Sequence, residues 1–184
     1  MEEQRREKSA LAGYLTLVIF LFSSTLANGQ ISQSEWRHIP TTHFSPRNSA
    51  LEHQTWSIVR DSRGVIYVAD KDGIKIFNGT TWEIATTTSG GAIMSLAIDA
   101  SDRVFYGAQR EFGRLDRRVD GRMEMNPISG ILPESEEFGI VWAVHILNSE
   151  VIFQAERGIY AWDGEGLRSW ASSSGFHTSF IVGG

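Results

Sequence analysis

The chain has 184 residues, no cysteine and a formal net charge of −5 at pH 7. Hydrophobic residues make up 41% and charged residues 21%, an ordinary balance for a globular domain with a packed core. The acidic balance excludes a phosphate-neutralising surface for nucleic acid, which needs clustered Lys and Arg. The missing cysteines exclude disulfides, thiolate catalysis, Cys-ligated zinc and a lipoprotein anchor.

The N-terminus differs from the rest. Glu2 to Lys8 form a charged segment, and Ala10 to Phe22 an apolar run of 13 residues, short for a bilayer core that needs about 20. Ser23, Ser24, Thr25 and Ala27 then supply small residues, with Thr25 and Ala27 placed as the two recognition positions of a cleavage site. This layout predicts a secretory signal peptide over residues 1–27, or an uncleaved signal anchor if the helix runs on through Ala27.

After residue 28 the chain repeats itself. Trp56 to Ala69, Met94 to Ala108 and Trp142 to Ala155 each read as an alternating apolar run, a polar turn and a second apolar run ending in small residues. Tyr67, Phe105 and Phe153 align, giving steps of 38 and 48 residues, the spacing of propeller blades of about 40–50 residues. Period-two alternation marks half-buried antiparallel strands. Asp61 to Gly64 and Asp99 to Asp102 supply the turn residues.

The second half of the unit recurs too. Gly73-Ile74-Lys75-Ile76-Phe77-Asn78-Gly79 precedes Trp82, and Gly158-Ile159-Tyr160-Ala161-Trp162-Asp163-Gly164 precedes Leu167 and Trp170. Asn-Gly and Asp-Gly predict type I′ hairpins, with positive φ at both central residues. Four strands per unit make one blade. Blades are expected at roughly 50–87, 92–128 and 138–171, with 172–184 opening a fourth through Phe176, Phe180, Ile181 and Val182. The stretch 116–139 holds a hairpin at Asp120-Gly121 and then a long inter-blade loop, a candidate binding rim. The fold class is therefore all-β: a partial β-propeller after an N-terminal signal helix. Three blades and a stub would leave two sheet edges unpaired, so the chain is expected to be the N-terminal piece of a longer protein or a truncated frame.

Chemistry-bearing motifs are few. His38, His43, His53, His145 and His177 lack the spacing of metal ligands, and His145 sits on a strand facing away from Val144 and Ile146. Asp70-Lys71-Asp72-Gly73 opens like a calcium loop but lacks its closing acid, so it reads as a turn. Glu134, Glu136 and Glu137 read as solvated loop charge. Asn78-Gly79-Thr80 fits a glycosylation sequon but is explained by the hairpin. The tryptophans recur at blade positions and read as packing residues, while Trp36 and Trp56 are candidates to line an opening. No catalytic, cofactor-binding or metal residue is assigned, no ligand-binding residue is identified, and an enzyme is not expected.

Val59 to Ile74 resembles the two-component regulator propeller repeat: an Asp, a Gly turn, a strand ending in an aromatic and small residues, then a Gly-aliphatic pair. Ser95 to Asp99 with Phe105 to Gly113, and Trp142 to Trp170, look like further blades of the same group, so the resemblance covers about residues 44–182. Tyr67 stands where Trp is commoner, and Asp102 where the Gly would sit. The resemblance implies a periplasmic sensor propeller, tethered to the bacterial inner membrane in full-length form. A three-tyrosine β-domain, a membrane helix and an output module, often a histidine kinase, would lie downstream. Implied partners are an extracytoplasmic ligand or protein, those downstream domains and a second copy as a homodimer; nucleic acid and cofactors are not. The competing expectations are an exported propeller lyase or hydrolase, and a non-functional truncated fragment.

Overall fold

A computed structural model describes residues 54–182; the expected signal helix, Trp36, His38, His43 and His53 lie outside them. Among the described residues twelve strands form three four-stranded antiparallel sheets. The first holds β1 (Thr55–Arg60), β2 (Ile66–Asp70), β3 (Gly73–Phe77) and β4 (Trp82–Ala85). The second holds β5 (Ile93–Ile98), β6 (Val104–Ala108), β7 (Phe112–Arg117) and β8 (Met123–Pro127). The third holds β9 (Val141–Leu147), β10 (Glu150–Ala155), β11 (Gly158–Trp162) and β12 (Leu167–Ala171). Each sheet is a meander in chain order, and β1 lies against β5 and β5 against β9. Consecutive meanders with their first strands side by side are propeller blades.

The cores lie between blades. Tyr67, Ala69, Ile74 and Ile76 of the first sheet pack on Leu96, Val104, Tyr106 and Leu115 of the second. Phe105 and Phe112, from the opposite face of the second sheet, pack on Val144, Phe153 and Tyr160 of the third. The Phe112 ring centroid lies 4.5 Å from that of Phe153 and 5.3 Å from that of Tyr160. Each middle strand must therefore be apolar on both faces, which is why β6, Val104–Ala108, is buried throughout.

The ladders correct one alignment. Ala155 pairs with Val141 as Ala108 pairs with Ile93 and Asp70 with Thr55. Counting back from those anchors, Ile152 matches Phe105 and Tyr67, whereas Phe153 matches Tyr106. The expected Tyr67–Phe105–Phe153 alignment is thus one residue out in the third blade. The cause is the β9–β10 connection, a two-residue turn at Asn148-Ser149 with Asn148 at φ 56°. Its counterparts span five residues, 61–65 and 99–103.

The Asn78-Gly79 turn also differs from expectation. Gly79 has φ 97°, but Asn78 is not left-handed. The loop has four residues, Asn78–Thr81, closed by the Asn78 amide on the Thr81 carbonyl. Asn78 Oδ1 accepts the Thr80 and Thr81 amides, both at 2.9 Å. Asp163 Oδ1 does the same for Glu165 and Gly166, at 3.0 and 2.8 Å, with Gly164 at φ 109°. A side-chain oxygen closing its own turn relieves the first residue of any need for positive φ. Residues 172–182 form no strand: Phe180 and Val182 are exposed and find no ladder partner among the described residues.

Candidate functional site

Antiparallel pairing fixes which parts of a blade share an end. Thr55, the β2–β3 turn and Ala85 lie at one end of the first blade, and Ile93, the β6–β7 turn and Pro127 at the same end of the second. The third repeats the pattern with Val141 and the β10–β11 turn. The connections between sheets run across this end.

Two features recur there. Each innermost strand carries a β-bulge at the same place: Trp56, Met94 and Trp142 are the unpaired residues. A bulge re-aims its side chain and is favoured beside binding sites. Trp56 and Met94 are half-buried and Trp142 is 42% exposed. The second feature is the turn between the second and third strands, Lys71-Asp72, Gln109-Arg110-Glu111 and Glu156-Arg157 in the three blades. Arginine thus holds one position in two adjacent blades. Arg110 has φ 60°, a conformation that strains a residue carrying a Cβ and clusters at functional sites.

Backbone clips hold the connections against these turns. The Gln109 amide bonds the Ala92 carbonyl at 3.1 Å, and the Arg110 amide bonds Gly139 at 3.1 Å. The Glu156 amide bonds Ile140 at 2.9 Å, and the Arg157 amide bonds Phe138 at 3.2 Å. Buried Glu111 accepts the Tyr106 hydroxyl at 2.7 Å, the Thr88 hydroxyl at 2.6 Å and the Ser89 amide at 3.1 Å. Glu136 accepts the Tyr160 hydroxyl at 2.9 Å. Burial, reinforced by these carboxylates, pushes both tyrosines well above the usual phenol range, so both stay protonated donors.

Two cavities open at this end. One of about 740 Å³ is lined by Trp142, Glu156, Arg157, Ser172–Ser174 and His177. The other, about 520 Å³, is lined by Arg110, Glu134, Glu136, Glu137, Phe138 and Arg157, so Arg157 borders both. The acidic residues of the 133–139 loop therefore border a cavity, where the sequence suggested solvated charge. Of the expected 116–139 rim, only the part after Pro127 reaches this end; residues 118–122 form the β7–β8 turn at the other. The Arg110–Arg157 correspondence escaped sequence reading. It is visible as Ala108-Gln109-Arg110 against Ala155-Glu156-Arg157 once the third blade is registered correctly.

The remaining candidates are structural. Asp70 Oδ2 lies 2.7 Å from the Lys75 ammonium, both side chains fully buried, and that oxygen has the ion pair as its partner with no aligned hydrogen bond beside it. Asp70 Oδ1 accepts the Asp72 amide at 2.8 Å, so Asp70–Gly73 is the β2–β3 turn. His145 Nε2 lies 2.8 Å from Ser179 Oγ, which donates to Gln154 Oε1 at 3.0 Å. Among the described residues no group of three or more His, Asp or Glu is placed to hold a metal.

No protein-family model matches the chain, and no curated protein sequence matches it. Solved structures do. The extracellular domain of BT4673 from B. thetaiotaomicron, assigned to a hybrid two component system, matches with TM-score 0.53 and 18% identity over 71% of this chain. A second structure of that extracellular domain, there assigned to a one component system, gives TM-score 0.48 and 18% identity over 63%. The WD40 β-propeller domain of Doa1 gives 0.47 and 13% over 66%. The chain spans 18%, 15% and 42% of those chains respectively. At such identity the match establishes the fold, and the fold is the propeller type that the repeat resemblance implied.

Proposed function

We propose that the chain is the ligand-sensing propeller region of a transmembrane signalling protein, exported across the inner membrane, and a binding module rather than an enzyme. The observation that carries this reading is the convergence of equivalent positions from successive blades on one end. The bulge residue Trp142 and the paired arginine turns meet cavities there, and what they offer is guanidinium donors, carboxylate acceptors and aromatic surface. That is binding chemistry. The signal-like segment at 1–27 supports export, and the structural match to an extracellular domain of a two component system supports the sensor role.

The test is to read the locus beyond codon 184. The expected result is further blades, an apolar span of about 20 residues and an output module in the same frame. A complete natural frame without span or output module sinks the reading.

A further inference from the structure

We propose that the cleft between Arg110 and Arg157 takes a carboxylate-bearing ligand, and that Glu137 is its internal competitor. The inference gives the sensing region a ligand chemistry and rests on that reading for its purpose, not for the chemistry itself. Arg157 Nη1 already holds a carboxylate, donating to Glu137 Oε2 at 3.0 Å. Both side chains are largely exposed, 63% and 82%, so the pair is weak and readily exchanged.

Arg110 borders the same cavity, and its guanidinium has no carboxylate partner among the described residues. The backbone holds it there at φ 60°, clipped to Gly139. Two of the nearby acids are spoken for within the protein: Glu136 by the Tyr160 hydroxyl and Glu156 by the Ile140 amide at 3.3 Å. A guanidinium fork is matched to a carboxylate. A ligand carboxylate arriving at Arg157 displaces Glu137 and removes one of the side-chain contacts between the 133–139 loop and the third blade, leaving the Glu136–Tyr160 bond in place.

The experiment titrates malonate into the full chain by calorimetry and tryptophan fluorescence, with chloride at equal ionic strength as the control. Saturable malonate binding without a chloride equivalent is expected. Arg110→Gly and Arg157→Ala should each weaken it about tenfold, the loss of a charge-assisted contact. Arg110→Gly removes the guanidinium and suits the left-handed backbone, so it should melt no lower than the parent, separating loss of binding from loss of fold. Glu137→Gln should tighten binding about two- to fivefold by removing the competitor. Equal effects of malonate and chloride, undiminished binding in Arg110→Gly, or unchanged or weaker binding in Glu137→Gln overturns the inference. A locus with span and output module but no malonate binding would defeat this inference alone. Malonate binding in a protein with no such downstream parts would defeat the sensor reading and leave the site.

Discussion

Asp102 occupies the left-handed place in the β5–β6 turn, at φ 60°, where Gly64 sits in the first blade. Its carboxylate reaches back across the blade boundary, accepting the Ser62 amide at 2.9 Å and the Ser62 hydroxyl at 2.5 Å. The departure from glycine thus exchanges backbone ease for a contact between turns. Two variants separate the terms. Asp102→Ala keeps the strain and loses the contact, and should destabilise by about 1–2 kcal/mol; Asp102→Gly should lose less, as read by urea unfolding. Gly79→Val at φ 97° should cost about 1–3 kcal/mol through backbone strain alone, because a Cβ there meets no atom. Glu134→Ala on the exposed loop should stay within about 0.5 kcal/mol. Equal melting temperatures for those two variants would contradict the hairpin. The turn carboxylates also set a pH response. Burial raises the Asp99 pKa, but the Arg103 amide and guanidinium and the Ser101 amide outweigh it and hold the group below the usual carboxylate range. A depressed folded pKa contributes stability fully above the unfolded value of about 4, lost as pH falls through the lower folded value. Asp99→Asn should therefore lose less melting temperature than the parent between about pH 5 and about pH 2.

At the scale of strands, the blade interfaces depend on close approach. A Cβ on Gly107 would stand 2.6 Å from Val141 Cγ1 in the next sheet. Gly107→Ala should destabilise by about 1–3 kcal/mol as an overpacked core, and Val141→Ala in the same chain should recover part of it, measured as a double-mutant cycle. No recovery would mean that the two sheets do not meet there. How legible each strand was depended on its faces. β1 and β5 betray their positions because Ser57 and Ser95 interrupt the apolar run at matching places. β10 does not, since Val151, Ile152 and Phe153 are apolar in succession, so a slip of one residue leaves the pattern unchanged. The Asn78 turn was recognisable as a turn from two residues, but its type depended on side-chain bonds to Thr80 and Thr81 that composition does not encode.

For the molecule as a whole, the blade architecture was readable because a propeller is one unit repeated, and repetition survives local errors of register. The end proposed for binding was not, because the equivalence of Trp56, Met94 and Trp142 shows only once the three bulges are in register. The serines just named have a wider meaning. Ser57 Oγ accepts the Leu96 amide at 3.1 Å, and Ser95 Oγ accepts the Val144 amide at 2.8 Å. Acceptor always precedes donor in the chain, so the fastening has a direction. A ribosome delivers each hydroxyl before the amide it serves, so the first and second sheets are each buttoned by their successor in order of synthesis. Ser95→Ala would strand a buried amide at about 1–3 kcal/mol and should speed hydrogen exchange at Val144 while sparing Leu96. In the third sheet the same place is held by Ala143, which carries no hydroxyl to pass on. There, among the described residues, the row of buttons stops.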